Sequence, residues 1–171
     1  MPLSLKLIHK TFVLQHDQSD CGVACLLSLV QYYSGAHTLE ELRSLSGTTV
    51  QGTTLLGLYQ AANSIGFDAE GNEADIEVLK AYNAPLILHL TMGNLEHYVV
   101  CYGFEKGVFM IGDPAKGIIK LSPEELNSLW RSKTCLTLTP TPQFKKKTTQ
   151  QKAQFKWFLN LIQKDVRLLL I

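Results

Sequence analysis

The longest apolar stretch of the chain runs from Asp20 to Tyr33, DCGVACLLSLVQYY, and is hydrophobic nearly all round before Gly35 supplies a stop. A helix with no polar face has nowhere to meet solvent, so this pattern of about four turns predicts a buried central helix. Thr38 followed by Glu41 is a capping-box spacing ahead of LEELRSLS, and Thr53 or Thr54 can cap LLGLYQAANSIGF, which Gly66 closes. A further short helix, ADIEVLKAYN, ends just before Pro85. The first half is thus expected to be mostly helical. Beyond Pro85 come β-branched and aromatic runs, PLILHLT, EHYVVCYGF, GVFMIGD and GIIKLS, with the turn signals MGN, EKG and DPAKG between them. SPEELNSLW is one more helix, with Ser122 as cap and Pro123 in its first turn, and TCLTLTP is a last strand. Helices first and antiparallel strands after predict an α+β fold.

Composition narrows the class. A chain of 171 residues that is 46% hydrophobic can bury a real core, which excludes disorder as a whole. The formal net charge of +1 denies it a chain-wide cationic footprint, so nucleic acid is not an expected partner. That average hides an asymmetry: from Gln143 onward there are seven Lys/Arg and one Asp, while residues 1–142 carry nine basic and 14 acidic side chains. Cys21, Cys25, Cys101 and Cys135 are few and irregularly spaced, which argues against a disulfide scaffold and for reduced thiols in the cytosol. The N-terminus reads as no secretory signal, no run of 18 apolar residues spans a bilayer, and no internal repeat occurs.

Chemistry begins at Cys21. At the first turn of the buried helix, free backbone N–H groups and the positive end of the helix dipole favour a thiolate. A nucleophilic thiol needs a base, a group that orients the base, and donors for the oxyanion. His97 lies on a strand whose alternation groups it with Val99 and Cys101, opposite Tyr98, Val100 and Tyr102. Asp113 ends the next strand, where Pro114 turns the chain away, so neighbouring strands can set imidazole and carboxylate side by side. Gln15 can bring a side-chain amide beside the N–H of Cys21 to complete an oxyanion hole. Taken singly, each of these residues is also compatible with a structural role: a buried small thiol, a satisfied strand histidine, a carboxylate before a proline.

Gln15 with Asp20-Cys21-Gly22, then Ala24-Cys25-Leu26, Gly47-Thr48-Thr49, Gly52-Thr53, His97-Tyr98-Val99-Val100 and Gly112-Asp113-Pro114 together resemble the bacteriocin-processing peptidase domain of peptidase-containing ABC exporters. The resemblance runs from about residue 12 to 140. It implies a papain-like fold and a cysteine peptidase that cuts leader peptides after a Gly-Gly pair. Carried over by position, it implies Cys21 as nucleophile, His97 as general base and acid, Asp113 as orienting carboxylate, and Gln15 with the Cys21 N–H as oxyanion donors. It implies as partners a Gly-Gly leader peptide and the transmembrane and ATPase domains of the same exporter, present in two copies. The expected location is the cytoplasmic face of a bacterial cell membrane. Two other readings use the same scaffold: a non-cleaving substrate-docking domain, and another papain-like acyl or amide hydrolase.

No metal or organic cofactor is implied, since Cys25 has no second Cys/His pair at ligand spacing and no G-x-x-x-x-G-K-[ST] loop occurs. Cys25, Cys101 and Cys135 read as core thiols and His89 as a structural strand histidine. The peptidase domain is expected over 1–140, a basic linker over 141–152, and an amphipathic helix over 153–171 leading toward a transmembrane region. Phe155, Phe158, Leu159, Ile162 and Val166 fall at helical spacing with Lys156, Lys164 and Arg167 elsewhere on the turn, the pattern of a membrane-surface helix.

Overall fold

A computed structural model describes residues 3–93 and 95–147. Six strands form one antiparallel sheet in the order β1-β6-β2-β3-β4-β5. They are β1 (Phe67–Glu73), β2 (Leu86–Met92), β3 (Leu95–Glu105), β4 (Val108–Asp113), β5 (Gly117–Leu121) and β6 (Thr134–Pro140). The helices are α1 (Leu5–Thr11), α2 (Cys21–Tyr32), α3 (Leu39–Ser46), α4 (Leu55–Ser64), α5 (Ile76–Ala81) and α6 (Pro123–Leu129). No helix among the described residues is long and apolar enough to cross a membrane.

The sheet has a core on each face. Alternation along β3 sends Tyr98, Val100 and Tyr102 against α2 and sends Val99 and Cys101 toward Leu79 of α5, Leu126 of α6 and Trp130. Each fully buried large side chain contributes roughly 1.5–3 kcal/mol relative to leaving it exposed, so both faces anchor the sheet. α2 is the central helix that its all-round apolar pattern predicts: every residue from Cys21 to Val30 is buried. Its twelve residues fall short of the four turns expected, because the chain reaches Cys21 through a separate 3₁₀ turn at Gln18–Asp20.

Local signals set several boundaries. Thr38 and Glu41 form the expected capping box on α3, Ser122 and Glu125 form another on α6, and Thr54 rather than Thr53 caps α4. Gly35 acts differently from the expected stop. Ser34 takes the left-handed conformation after α2, whereas a Cβ on Gly35 would meet Phe144 Cζ at 2.6 Å and Val30 Cγ1 at 2.7 Å. The glycine is there for close packing.

Two elements go beyond the expected pattern. The first half also contains β1, whose sequence FDAEGNE is mostly polar; it is the edge strand, paired only with β6, and exposes most of its side chains. α1 precedes the central helix, held by a Ser4 cap and by the burial of Ile8. Residues 141–147, whose prolines and lysines read as the start of a linker, pack back on the body: Phe144 is buried against Phe67, and Lys146 bridges to Gly35. The rest of the expected linker and the whole of the expected amphipathic helix lie outside the described residues.

Candidate active site

The approach to Cys21 is built by two aspartates. Asp17 accepts the Ser19 N–H at 3.0 Å, and the Asp20 carboxylate accepts the Asp17 N–H at 3.4 Å, a reciprocal box that closes the 3₁₀ turn. The chain therefore enters α2 with Cys21 in its first turn, where main-chain N–H groups lack helical acceptors. Across from it, the pairing of β4 with β3 reaches Val100 opposite Gly112. His97 and Asp113 lie just beyond that pair, at the end of the sheet that meets the start of α2.

His97 Nε2 and Asp113 Oδ1 are 2.7 Å apart, with both residues buried. The ring also acts on the Cys21 thiol, and each of the two shifts the other toward its charged form. Because Nε2 is engaged by the carboxylate, Nδ1 is the nitrogen left for the thiol. Asp113 Oδ1 accepts a second hydrogen bond from the Ala115 N–H at 2.9 Å, and Oδ2 lies 3.7 Å from Lys116 Nζ. Sulfur, imidazole and carboxylate thus form one continuous line.

The electrostatics follow from this line. Burial alone would push the Cys21 thiol up, but hydrogen bonds with His97 and from the main-chain N–H groups of Tyr98 and Gly22 outweigh it and hold the thiol below its ordinary value. For His97, burial disfavours the charged ring, yet the bonds to Asp113 and Cys21 raise it from 6.5 to about 9. Burial would likewise raise Asp113; His97, the Ala115 N–H and Lys116 bring it below the usual carboxylate range. All three shifts run in the direction that favours a thiolate beside an imidazolium, steadied by a carboxylate.

Gln15 joins this cluster through its main chain: its N–H donates to Pro114 O at 2.9 Å, so the loop leaving Asp113 also pins Gln15. Its side-chain Oε1 is buried without a hydrogen-bond partner. The amide oxygen and nitrogen exchange places by rotation about the last side-chain bond, so Gln15 holds spare hydrogen-bonding capacity in the interior.

The remaining sulfurs lack such partners. All four cysteines are free, and burial pushes Cys25 far up, Cys101 to about 12, and Cys135 up as well. Cys101 belongs to the core on the face away from α2. His89, the other strand histidine, pairs with Glu96 at 3.1 Å and stacks on Tyr98.

Sequence reasoning missed two groups. The Tyr98 N–H, which helps hold the Cys21 thiol below its ordinary value, is a main-chain group and leaves no trace in residue type. Arg43 of α3, 23 residues from Asp20, donates to both of its carboxylate oxygens, from Nε at 2.7 Å and Nη2 at 2.6 Å. No local pattern announces so distant a partner.

A thiol at the start of a buried helix, facing an imidazole and carboxylate on neighbouring strands of an antiparallel sheet, defines a papain-like cysteine peptidase architecture. The chain belongs to the Peptidase C39 family, whose signature matches residues 9–143. It is 36% identical over 142 residues to the pediocin PA-1 transport/processing ATP-binding protein PedD of Pediococcus acidilactici, covering 80% of this chain and 20% of that protein. The transport/processing ATP-binding protein ComA of Streptococcus pneumoniae is 39% identical over 136 residues, covering 77% of this chain and 19% of its own. This chain therefore spans about a fifth of the length of these relatives. The crystal structure of the peptidase domain of Streptococcus ComA, a bi-functional ABC transporter involved in quorum sensing, superposes with a TM-score of 0.70 at 37% identity, covering 75% of this chain and 97% of that one. A double glycine motif protease from an AMS/PCAT transporter, solved in complex with the leader peptide, also gives a TM-score of 0.70, at 33% identity over 75% of this chain and 90% of its own.

Proposed function

We propose that this chain is the peptidase portion of a peptide exporter and removes the leader of a secreted peptide after a Gly-Gly pair. The observation that carries the reading is the line from the Cys21 sulfur through His97 to Asp113 in a member of the C39 family. Relatives named for transport and processing, and a neighbour described as a double glycine motif protease with its leader peptide, support the substrate class. On this reading the chain works at the cytoplasmic face of a bacterial cell membrane, joined to transmembrane and ATPase domains, in two copies per exporter.

The chemistry follows from the charge pattern. The Cys21 thiolate attacks the carbonyl carbon of the second glycine, and the electron pair of that carbonyl moves onto its oxygen. Gln15 and the Cys21 N–H donate to this oxyanion. The His97 imidazolium gives its proton to the leaving amine as the C–N bond breaks, which leaves a thioester on Cys21. Neutral His97 then takes a proton from water, the hydroxide displaces sulfur, and the leader departs as a carboxylate. Asp113 holds the ring in the orientation that both transfers need.

The test is cleavage of a synthetic amphipathic leader ending in Gly-Gly and followed by a short cargo. One cut after the second glycine is expected, with none when either glycine is replaced by alanine, and His97→Ala should lower the rate on the order of 10⁴-fold. A leader that binds and is never cut, by a protein whose Cys21 alkylates no faster than its other thiols, would make the domain a docking module instead.

A further inference from the structure

One charged side chain outside the reacting line reaches the segment that carries the nucleophile. Asp20, the residue before Cys21, is fully buried, and its only charged partner among the described residues is Arg43. The guanidinium grips both carboxylate oxygens with two different nitrogens, a fork geometry that fixes direction as well as distance. Nη2 also reaches Asp17 Oδ2 at 3.1 Å, so one arginine ties together both aspartates of the turn that leads into α2. Arg43 itself is held by α3, and α3 is locked to α4. Gly57 of α4 presses on the Ser46 carbonyl so closely that a Cβ there would collide with it. A hydroxyl chain runs from Ser46 to Thr48 at 2.7 Å and on to Thr53 at 2.6 Å. Thr53 lies against the other neighbour of the nucleophile: a Cβ on Gly22 would meet Thr53 Cβ at 3.2 Å. The residues on both sides of Cys21 are therefore braced from α3 and the segment that follows it.

We propose that Arg43 is a positioning residue for the nucleophile: by gripping Asp20 it fixes the peptide that presents the Cys21 thiol and N–H, and it balances a buried carboxylate one residue from the reacting sulfur. This rests on the peptidase reading above. The other charged or titratable groups around the thiol are His97 of β3 with the Tyr98 phenol beside it, Asp113 of β4 with Lys116 beyond it, and Cys25 one turn along α2. None of them can take over the grip on Asp20. A 1 Å misplacement of a reacting group lowers turnover by up to about 10²-fold, which sets the size of the effect at stake.

The experiment compares the full chain with Arg43→Ala and Arg43→Lys, using iodoacetamide alkylation of each thiol across pH and cleavage of the synthetic Gly-Gly leader. Rates are normalised to the Cys21 that alkylates, so a loss of folded protein does not register as a loss of catalysis. Arg43→Ala is expected to slow Cys21 alkylation at pH 6 about tenfold and to lower kcat with KM unchanged. Arg43→Lys keeps the charge and loses the fork, so it should recover the alkylation profile while cutting about tenfold more slowly than wild type. The lysine variant alone decides the matter if the alanine variant does not fold. Wild-type kcat in folded Arg43→Lys or Arg43→Ala overturns the proposal while leaving the peptidase reading intact. A wild-type Cys21 that alkylates no faster than Cys25, Cys101 and Cys135 overturns both.

Discussion

On one face of the sheet Val23, Leu26 and Val30 of α2 close over Ile87, Val100 and Leu136; on the other, Leu79, Leu126 and Trp130 close over Leu88, Val99 and Ile111. The two layers bury similar side chains, yet their polar atoms are treated in opposite ways. On the second face the Trp130 indole N–H donates to Thr134 O at 2.8 Å and the Ser132 hydroxyl to His89 O at 2.8 Å, so the polar groups at that layer's margin are satisfied. At the start of α2 polar groups are held ready, whereas Ser28 further along the helix is bonded to Ala24 O and to the Val13 N–H. Cys21 faces an imidazole, Gln15 keeps an unpartnered amide oxygen, and the first-turn N–H groups point outward from a helix end. A buried polar group without a partner costs stability, typically about 1–3 kcal/mol. The satisfied face supplies rigidity that lets the other face keep such groups open for a substrate.

The sharpest way to break this division is Asp113→Ala. If the carboxylate acts on the imidazole, kcat for leader cleavage should fall on the order of 10²-fold while KM stays nearly constant. The pH profile gives an independent check. The working form needs His97 protonated, so the basic limb of the wild-type profile should lie at about 9. Asp113 favours the protonated ring, and its removal should bring that limb down toward 6.5, the ordinary value of the group. Wild-type turnover, or a basic limb that stays in place, would remove Asp113 from the reacting line.

Trp130→Ala asks the same question from the other face. Trp130 is fully buried, and truncation should cost about 3–5 kcal/mol in urea unfolding. Its place in the other core cluster from Cys21 predicts that the protein still folded alkylates Cys21 at pH 6 within about twofold of wild type. A parallel collapse of thiol reactivity would mean that the two faces act as one unit.

The same division explains what could be read in advance. Cys21, His97 and Asp113 were legible because each stands beside local punctuation: an apolar helix begins at one, a strand alternates around another, and a proline follows the third. The capping boxes at Thr38 and Ser122 were legible for the same reason, since their partners lie three residues away. Arg43 was not, because its meaning comes from a carboxylate 23 residues earlier that only the packed fold brings to it. Strand β1 was hidden by its composition: FDAEGNE is polar, and its place as an edge strand is set by pairing with β6, more than sixty residues on. The role of Gly35 was hidden in a third way, through contact with Phe144 at the far end of the described chain.

The smallest expected effect tests where the reacting end of the sheet stops. His89 stands on β2 directly opposite Tyr98, one position along from the strand partner of His97, and is the other strand imidazole to test as a base. Its own contacts argue for a surface role. Its ring lies 3.1 Å from Glu96, whose side chain is 59% exposed, and stacks on Tyr98 with ring centroids 4.9 Å apart. Exposed pairs of this kind contribute about 0–1 kcal/mol because water screens them and two side chains must be ordered to make them. His89→Gln should therefore lower stability by less than about 1 kcal/mol and leave leader cleavage within about twofold of wild type. The stack on Tyr98 is a route by which the change would reach the site, since the Tyr98 N–H helps lower the Cys21 thiol. A tenfold loss of kcat in folded His89→Gln would extend the reacting machinery onto β2 and move the line between the two regions outward by one strand.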